Sequence, residues 1–263
     1  MYDFQYIRPA SVADAVKALA EEDAQALSGG MTLLPTLKQR LGRPSALVDL
    51  TAIRDLVGIS VSGDSVTIKG ATTHAAVAAS ADVRRAIPAL ADLASHIGDP
   101  AVRNRGTIGG SVANDDPAAC YPAAVLGLGA TVVTNAREIA ADDFFQGMFT
   151  TALEEGEIVT AVRFPIPQAA NYQKFVQPAS RFALTGVFAA RFPGGARVAV
   201  TGASEGGVFR WAEAEAALSA NWSPDAVAGL SIAADGMLGD IHGSPEYRAH
   251  LVGVMTKRAV AAA

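Results

Sequence analysis

Two short segments carry the side chains and spacing with which a protein can hold an anionic ligand. The first is Ser28-Gly29-Gly30-Met31-Thr32, followed by Leu33; the second is Thr107-Ile108-Gly109-Gly110-Ser111. Glycine permits positive φ and lets a ligand approach without a Cβ in the way. Backbone N–H groups in such turns, and at helix N-termini, attract phosphate oxygens. The flanking hydroxyls of Ser28, Thr32, Thr107 and Ser111 can add hydrogen bonds. Neither segment is a G-x-G-x-x-G dinucleotide fingerprint or a G-x-x-x-x-G-K-[ST] phosphate loop. Either pair alone reads as a tight turn; two pairs with matching hydroxyl flanks read as one shared anionic ligand.

Other chemistry-bearing residues are sparse. Asp115-Asp116 precedes a proline and reads as an Asx-type turn rather than a paired acid and base. Cys120 opens an apolar helix-like run without a basic neighbour in sequence, which predicts a buried, inert thiol. His74 starts a helical run in "GATTHAAV". Arg103 and Arg105 read as loop arginines available to phosphates or to a partner's acidic surface. Tyr247, Arg248 and His250 are expected to pack or to face a partner. The four histidines lack metal-binding spacing, and a single cysteine excludes an internal disulfide and a four-cysteine cluster. Redox chemistry in this chain would need an organic cofactor.

Composition bounds the remaining classes. The chain has 263 residues, is 50% hydrophobic and carries a net charge of −5, with mean hydropathy +0.25. No basic cluster marks a nucleic-acid face. No uncharged apolar run reaches the ~18 residues of a membrane span, and the N-terminus has no secretory signal pattern. A cytoplasmic protein is expected.

These residues need elements to position them. A helix is expected over 11–20, capped by Ser11, then a strand running into Gly29-Gly30 and a helix from about Met31. A strand over 45–51 completes a small β-α-β unit. A strand at 65–73 precedes helical runs at 73–80 and 82–97. The second glycine pair sits in a turn-rich segment, with 114–117 as a further turn; 122–135 reads as helix into strand. A strand over 157–167 ends in prolines, and composition shifts near residue 166. Three strands of a meander follow, then helices at 211–220, 223–238 and 244–263. Strands followed by helices argue an α+β fold.

The segments "SGGMTLLPTLKQRLG" and "DPAVRNRGTIGGSVANDDPAACYPAAVLGLGATV" resemble the two FAD-binding signatures of the flavoprotein (medium) subunits of molybdenum hydroxylases. That is the carbon monoxide dehydrogenase and xanthine dehydrogenase class. "YQKFVQPASRFAL" and "DIHGSPEYRAHLVGVMTKRAV" continue the resemblance over nearly the whole chain. It implies a two-subdomain FAD-binding (PCMH-type) domain, with subdomains at 1–56 and 57–166. A C-terminal domain of antiparallel sheet and helix bundle would span 167–263. It further implies that Ser28 to Thr32, with Leu33, cradle the FAD pyrophosphate. Thr107, Gly109, Gly110 and Ser111 would contact the phosphates and ribityl chain, with Asn114 and Asp116 near the flavin. His74, in the family's "TTH", would neighbour the noncovalently bound FAD. Where the xanthine dehydrogenase branch has a carboxylate and a lysine, this chain has Cys120 and Gln177, which points to the carbon monoxide dehydrogenase-like branch. Partners implied are a large molybdenum-cofactor subunit and a small subunit with two [2Fe–2S] clusters, in a heterotrimer that can be doubled.

Two rival readings stay open at this level. A self-contained FAD oxidoreductase would be active without a molybdenum partner. A non-redox scaffold that has lost FAD would be colourless.

Overall fold

A computed structural model describes all 263 residues. The chain builds three main sheets in sequence order. The first contains β1 (Gln5–Ile7), α1 (Val12–Leu19), β2 (Gln25–Leu27), α2 (Leu33–Lys38) and β3 (Ala46–Asp49). Its strands run parallel in the order β1-β3-β2. Ser11 caps α1, its hydroxyl accepting from Asp14 N–H at 3.1 Å. The 3.6-residue periodicity then turns Ala15 and Leu19 onto Val48, Ile53 and Leu56.

The second sheet begins with β4 (Ile59–Ser62) and β5 (Ser65–Lys69). Six short helices follow: α3 (His74–Ala79), α4 (Ala81–Ala86), α5 (Pro88–Ser95), α6 (Pro100–Arg105), α7 (Ile108–Asn114) and α8 (Cys120–Gly127). Next come β6 (Thr131–Thr134), β7 (Glu138–Ala140), α9 (Ala141–Phe144) and a hairpin of β8 (Phe145–Gly147) and β9 (Thr150–Thr151). The sheet closes with β10 (Val159–Pro165). Its order is β4-β5-β10-β6-β7, antiparallel throughout. Val66, Ile68, Val162 and Phe164 share a core with Leu90, Leu93 and Val125. The helical run expected over 82–97 is broken: Pro88 keeps Ile87 out of the helical region (φ −139°, ψ 77°) and restarts the helix as α5.

The third sheet joins β11 (Ala169–Val176), β12 (Ala183–Phe192), β13 (Gly195–Thr201) and β14 (Phe209–Arg210), with α10 (Ala212–Ala220) and α11 (Pro245–Ala261) following. Strand alternation serves two cores. Val187, Ala189, Val198 and Val200 pack with Trp211, Leu218, Val252 and Met255. Phe188, Ala190 and Ala199 join the core of the second sheet. The helix expected over 223–238 does not form: only a 3-10 turn at Pro224–Val227 is helical. Gly236 adopts φ +73°, and the segment instead pairs with the 203–205 loop, Leu238 N–H donating to Ala203 O at 2.8 Å. The architecture is α+β, and no helix is long and apolar enough to cross a membrane.

Candidate cofactor cavity

The first glycine pair lies between β2 and α2. Gly30 turns the chain with φ +71°, a conformation that penalises a side chain. Gly29 meets a different demand: a Cβ there would lie 2.2 Å from the Arg105 carbonyl oxygen. The glycine therefore lets two backbone segments touch. The N–H groups of Gly29, Gly30, Met31 and Thr32 donate to no backbone or side-chain acceptor. Consecutive free donors in a turn form an anion-binding concavity.

The second pair is placed differently from the sequence expectation. Gly109 and Gly110 stand in the first turn of α7, not in a loop. Thr107 is its N-cap, the side-chain oxygen accepting from Gly110 N–H at 3.2 Å. Ile108 N–H donates to Thr72 O and Gly109 N–H to Gly70 O. These amides are thus spent inside the protein. Gly109 rests directly on Gly70, whose carbonyl oxygen would lie 2.7 Å from an added Cβ. The second motif therefore offers its hydroxyls, while the first offers its amides. The Ser28 and Thr107 hydroxyl oxygens meet at 2.7 Å.

A cavity of about 620 Å³ opens between them, within the roughly 300–1,000 Å³ range of small-molecule clefts. The first motif lines it with Ser28, Gly29, Gly30, Met31, Thr32 and Leu33. The second lines it with Thr107, Gly109, Gly110, Ser111, Asn114 and Asp116, and His74 completes the predicted set. His74 is 4% exposed. Burial, reinforced by Arg103, lowers its pKa to about 4, so the ring is neutral. Its Nδ1 has no partner, and its Nε2 would lie 2.5 Å from a Cβ on Gly106.

Asp116 forms the expected Asx turn, Oδ1 accepting from Ala118 N–H at 2.9 Å. Burial raises its pKa. Asp115 caps α7 in the left-handed region at φ 42°. Its carboxyl is buried with neither oxygen bonded. Burial first, and the neighbouring Asp116 second, push its pKa up to about 7.

The expectation for Cys120 needs correction. The thiol is buried, but Lys174 Nζ donates to its Sγ at 3.3 Å, and both residues line the cavity. The basic neighbour lies 54 residues away in sequence, on β11, where no local reading finds it. Gly70, Ile158, Val159, Ser180, Arg181 and Phe182 are further lining residues that the sequence reading missed. Gly70 had a legible signal, a glycine closing a strand, but its necessity lies in a tertiary contact: a Cβ would stand 2.1 Å from Val159 O.

Other residues singled out in the sequence lie away from the cavity lining. Arg103 Nη1 donates to Ile97 O and Gly98 O, and neither it nor Arg105 reaches the cavity. Gln177 bonds His242 instead. Arg248 is buried, donating to Leu184 O, Gly202 O and Asp240, whereas Tyr247 and His250 are exposed.

The free amides, hydroxyl flanks and cavity size fit an elongated cofactor carrying a diphosphate. Residues 2–167 match the family described as "FAD binding domain in molybdopterin dehydrogenase". The carbon monoxide dehydrogenase medium chain of Afipia carboxidovorans is 36% identical, the match covering 98% of this chain and 95% of that protein. The nicotine 6-hydroxylase medium subunit of Paenarthrobacter nicotinovorans is 34% identical, covering 97% and 95%. The solved quinoline 2-oxidoreductase from Pseudomonas putida 86 superposes with a TM-score of 0.89 at 32% identity, covering 100% of this chain and 97% of that one. The chain belongs to the FAD-binding medium-subunit family of the molybdenum hydroxylases. It is accordingly a subunit of an FAD-dependent oxidoreductase.

Proposed function

We propose that this chain holds FAD between its two glycine motifs and passes electrons from a partner's [2Fe–2S] clusters to an external acceptor. The observation that carries the reading is the cavity itself: free amides of Gly29 to Thr32 on one side, Thr107 and Ser111 hydroxyls on the other, all on one lining. The amides of Gly29 to Thr32 would hold the pyrophosphate, aided by Ser28 and, at the start of α2, Leu33. Thr107, Gly109, Gly110 and Ser111 would adjoin the phosphates and ribityl chain, and Asn114, Asp116 and neutral His74 the rest of the cofactor. FAD supplies the exchange between single electrons and electron pairs. The protein's own groups position and exclude water; none is required as nucleophile or general base.

The division into 1–56, 57–166 and 167–263 is part of the proposal. The three sheets support it. So is the assembly: a large molybdenum-cofactor subunit that hydroxylates the substrate, and a small iron–sulfur subunit, in a heterotrimer working in the cytoplasm. The relatives named as medium chains of carbon monoxide dehydrogenase and nicotine 6-hydroxylase support this arrangement.

The absorption spectrum of the purified chain tests the reading. Oxidised flavin bands, with FAD released on denaturation, are expected. A chain that stays colourless after incubation with FAD would overturn it, and activity without a molybdenum-bearing partner would overturn the subunit assignment.

A further inference from the structure

One cluster on the cavity wall has no part in holding a diphosphate. Cys120 begins α8, and Lys174 reaches it from β11 with Nζ 3.3 Å from Sγ. The ammonium is anchored by the His96 carbonyl at 2.9 Å. Tyr172 sits two residues earlier on β11, hence on the same strand face. Its hydroxyl is buried without a hydrogen-bond partner. Burial, and then the adjacent Cys120, push its pKa well up, so the hydroxyl keeps its proton and is an available donor.

Buried hydroxyls without partners are rare in native proteins, and each asks for a group that would satisfy it. An oxygen atom added to the Cys120 sulfur is such a group. It would accept from the Lys174 ammonium and from the hydroxyl of Tyr172, which neighbours Cys120. Oxidation of a thiol favours sites with a cationic neighbour and access for the oxidant. Here the cavity provides the access, because Cys120 lines it.

We propose that Cys120 is a site of oxidation to a sulfenic acid, retained at that stage by Lys174 and Tyr172. The oxidant is hydrogen peroxide. Its O–O bond breaks as the S–O bond forms, giving Cys–SOH and water. The sulfur loses two electrons and the peroxide gains them. The thiol proton leaves with the departing hydroxide as water, with Lys174 stabilising the developing negative charge. The chain has no second cysteine, so no internal disulfide can consume the product. The site shares its cavity with the proposed FAD, so the chain is tested both with and without the cofactor bound.

The full chain is treated with hydrogen peroxide, trapped with dimedone and mapped by peptide mass spectrometry. Dimedone labelling at Cys120 is expected, and Cys120→Ser supplies the blank. Tyr172→Phe should shorten the lifetime of the sulfenic acid, read by delaying the dimedone addition, and Lys174→Met should slow its formation, each by about tenfold for one lost hydrogen bond to the oxygen. The methionines Met31 and Met148, each 39% exposed, report that peroxide has reacted. Cys120 remaining reduced while they oxidise would overturn the proposal, and this arm needs no variant to fold. Unchanged yield and lifetime in both folded variants would overturn the roles of Lys174 and Tyr172.

Discussion

The Ser28 and Thr107 hydroxyl oxygens lie 2.7 Å apart although 79 residues separate them in sequence. This one bond joins the turn after β2 to the cap of α7, and so ties together the two motifs that line the cavity. Thr107 uses the same oxygen to accept from Gly110 N–H. Its hydroxyl is thus shared between holding the helix and holding the facing loop. Ser28→Ala and Thr107→Val should each cost about 1 kcal/mol of stability, the net worth of a hydrogen bond. A double-mutant cycle read by denaturant unfolding should give a coupling energy of at least ~0.5 kcal/mol. Strict additivity would deny the bond a role.

The glycines divide by the contact each one makes. At Gly29 an added methyl would meet the Arg105 carbonyl at 2.2 Å, and at Gly109 the Gly70 carbonyl at 2.7 Å. Backbone cannot yield as a flexible side chain does. Gly29→Ala and Gly109→Ala should each destabilise the chain by about 3 kcal/mol and weaken FAD binding. Gly194→Ala, which meets open space, should stay within about 0.5 kcal/mol. Thermal melts and flavin titration check all three.

Asp115 and His74 act on stability in opposite directions. Asp115 has its pKa raised from 3.8 to about 7. Between these values the folded chain keeps a proton that the unfolded chain has lost, so stability falls as pH rises. His74 is lowered from 6.5 to about 4. Between these values the unfolded chain takes a proton that the folded chain refuses, so stability falls as pH drops. The two contributions largely cancel between their overlapping limits. Asp115→Asn should leave stability rising with pH across that window, and His74→Gln should leave it falling. At pH 8, Asp115→Asn should stabilise by about 2 kcal/mol, because a buried charge without a partner is removed. A flat pH profile of unfolding midpoints in both variants would contradict these assignments.

Arg248 carries a charge into the third sheet and joins two carbonyls there to Asp240. Removing Arg248 takes a charged donor from the Leu184 and Gly202 carbonyls and from Asp240 at once. Arg248→Met should cost about 3–5 kcal/mol, whereas Asp240→Asn, at a half-exposed site, should cost less than half as much. Urea unfolding separates the two.

Legibility in the sequence followed the range of the interaction. Ser11 announced the start of α1 because a cap is a bond across three residues. The strand expected over 65–73 forms as β5, whose residue-by-residue alternation of burial is an equally local pattern. Both glycine pairs and their hydroxyl flanks line the cavity, since such pairs are local patterns, whereas Leu33, His74, Asn114 and Asp116 on the same lining were given by the family resemblance. What stayed hidden was tertiary. Nothing near Gly109 says that its amide is taken by Gly70, so a helix start read as a loop. Nothing near Cys120 says that Lys174 stands over it. The absent helix over 223–238 is a third case: its spacing suited a helix, yet Gly236 turns the chain toward Ala203 instead.

Strand β10 is the last of its sheet to be synthesised and the middle one in space, lying between β5 and β6. Gly70, on which α7 rests, donates its own N–H to Thr160 on β10 at 2.8 Å. On the ribosome, the helices and outer strands of this region emerge first and wait for a centre. The cavity floor therefore closes late, at a single step, when the segment ending at Pro165 slots between strands already made. A chain stalled before that point would leave the facing edges of β5 and β6 unpaired, an opening through which another strand could add.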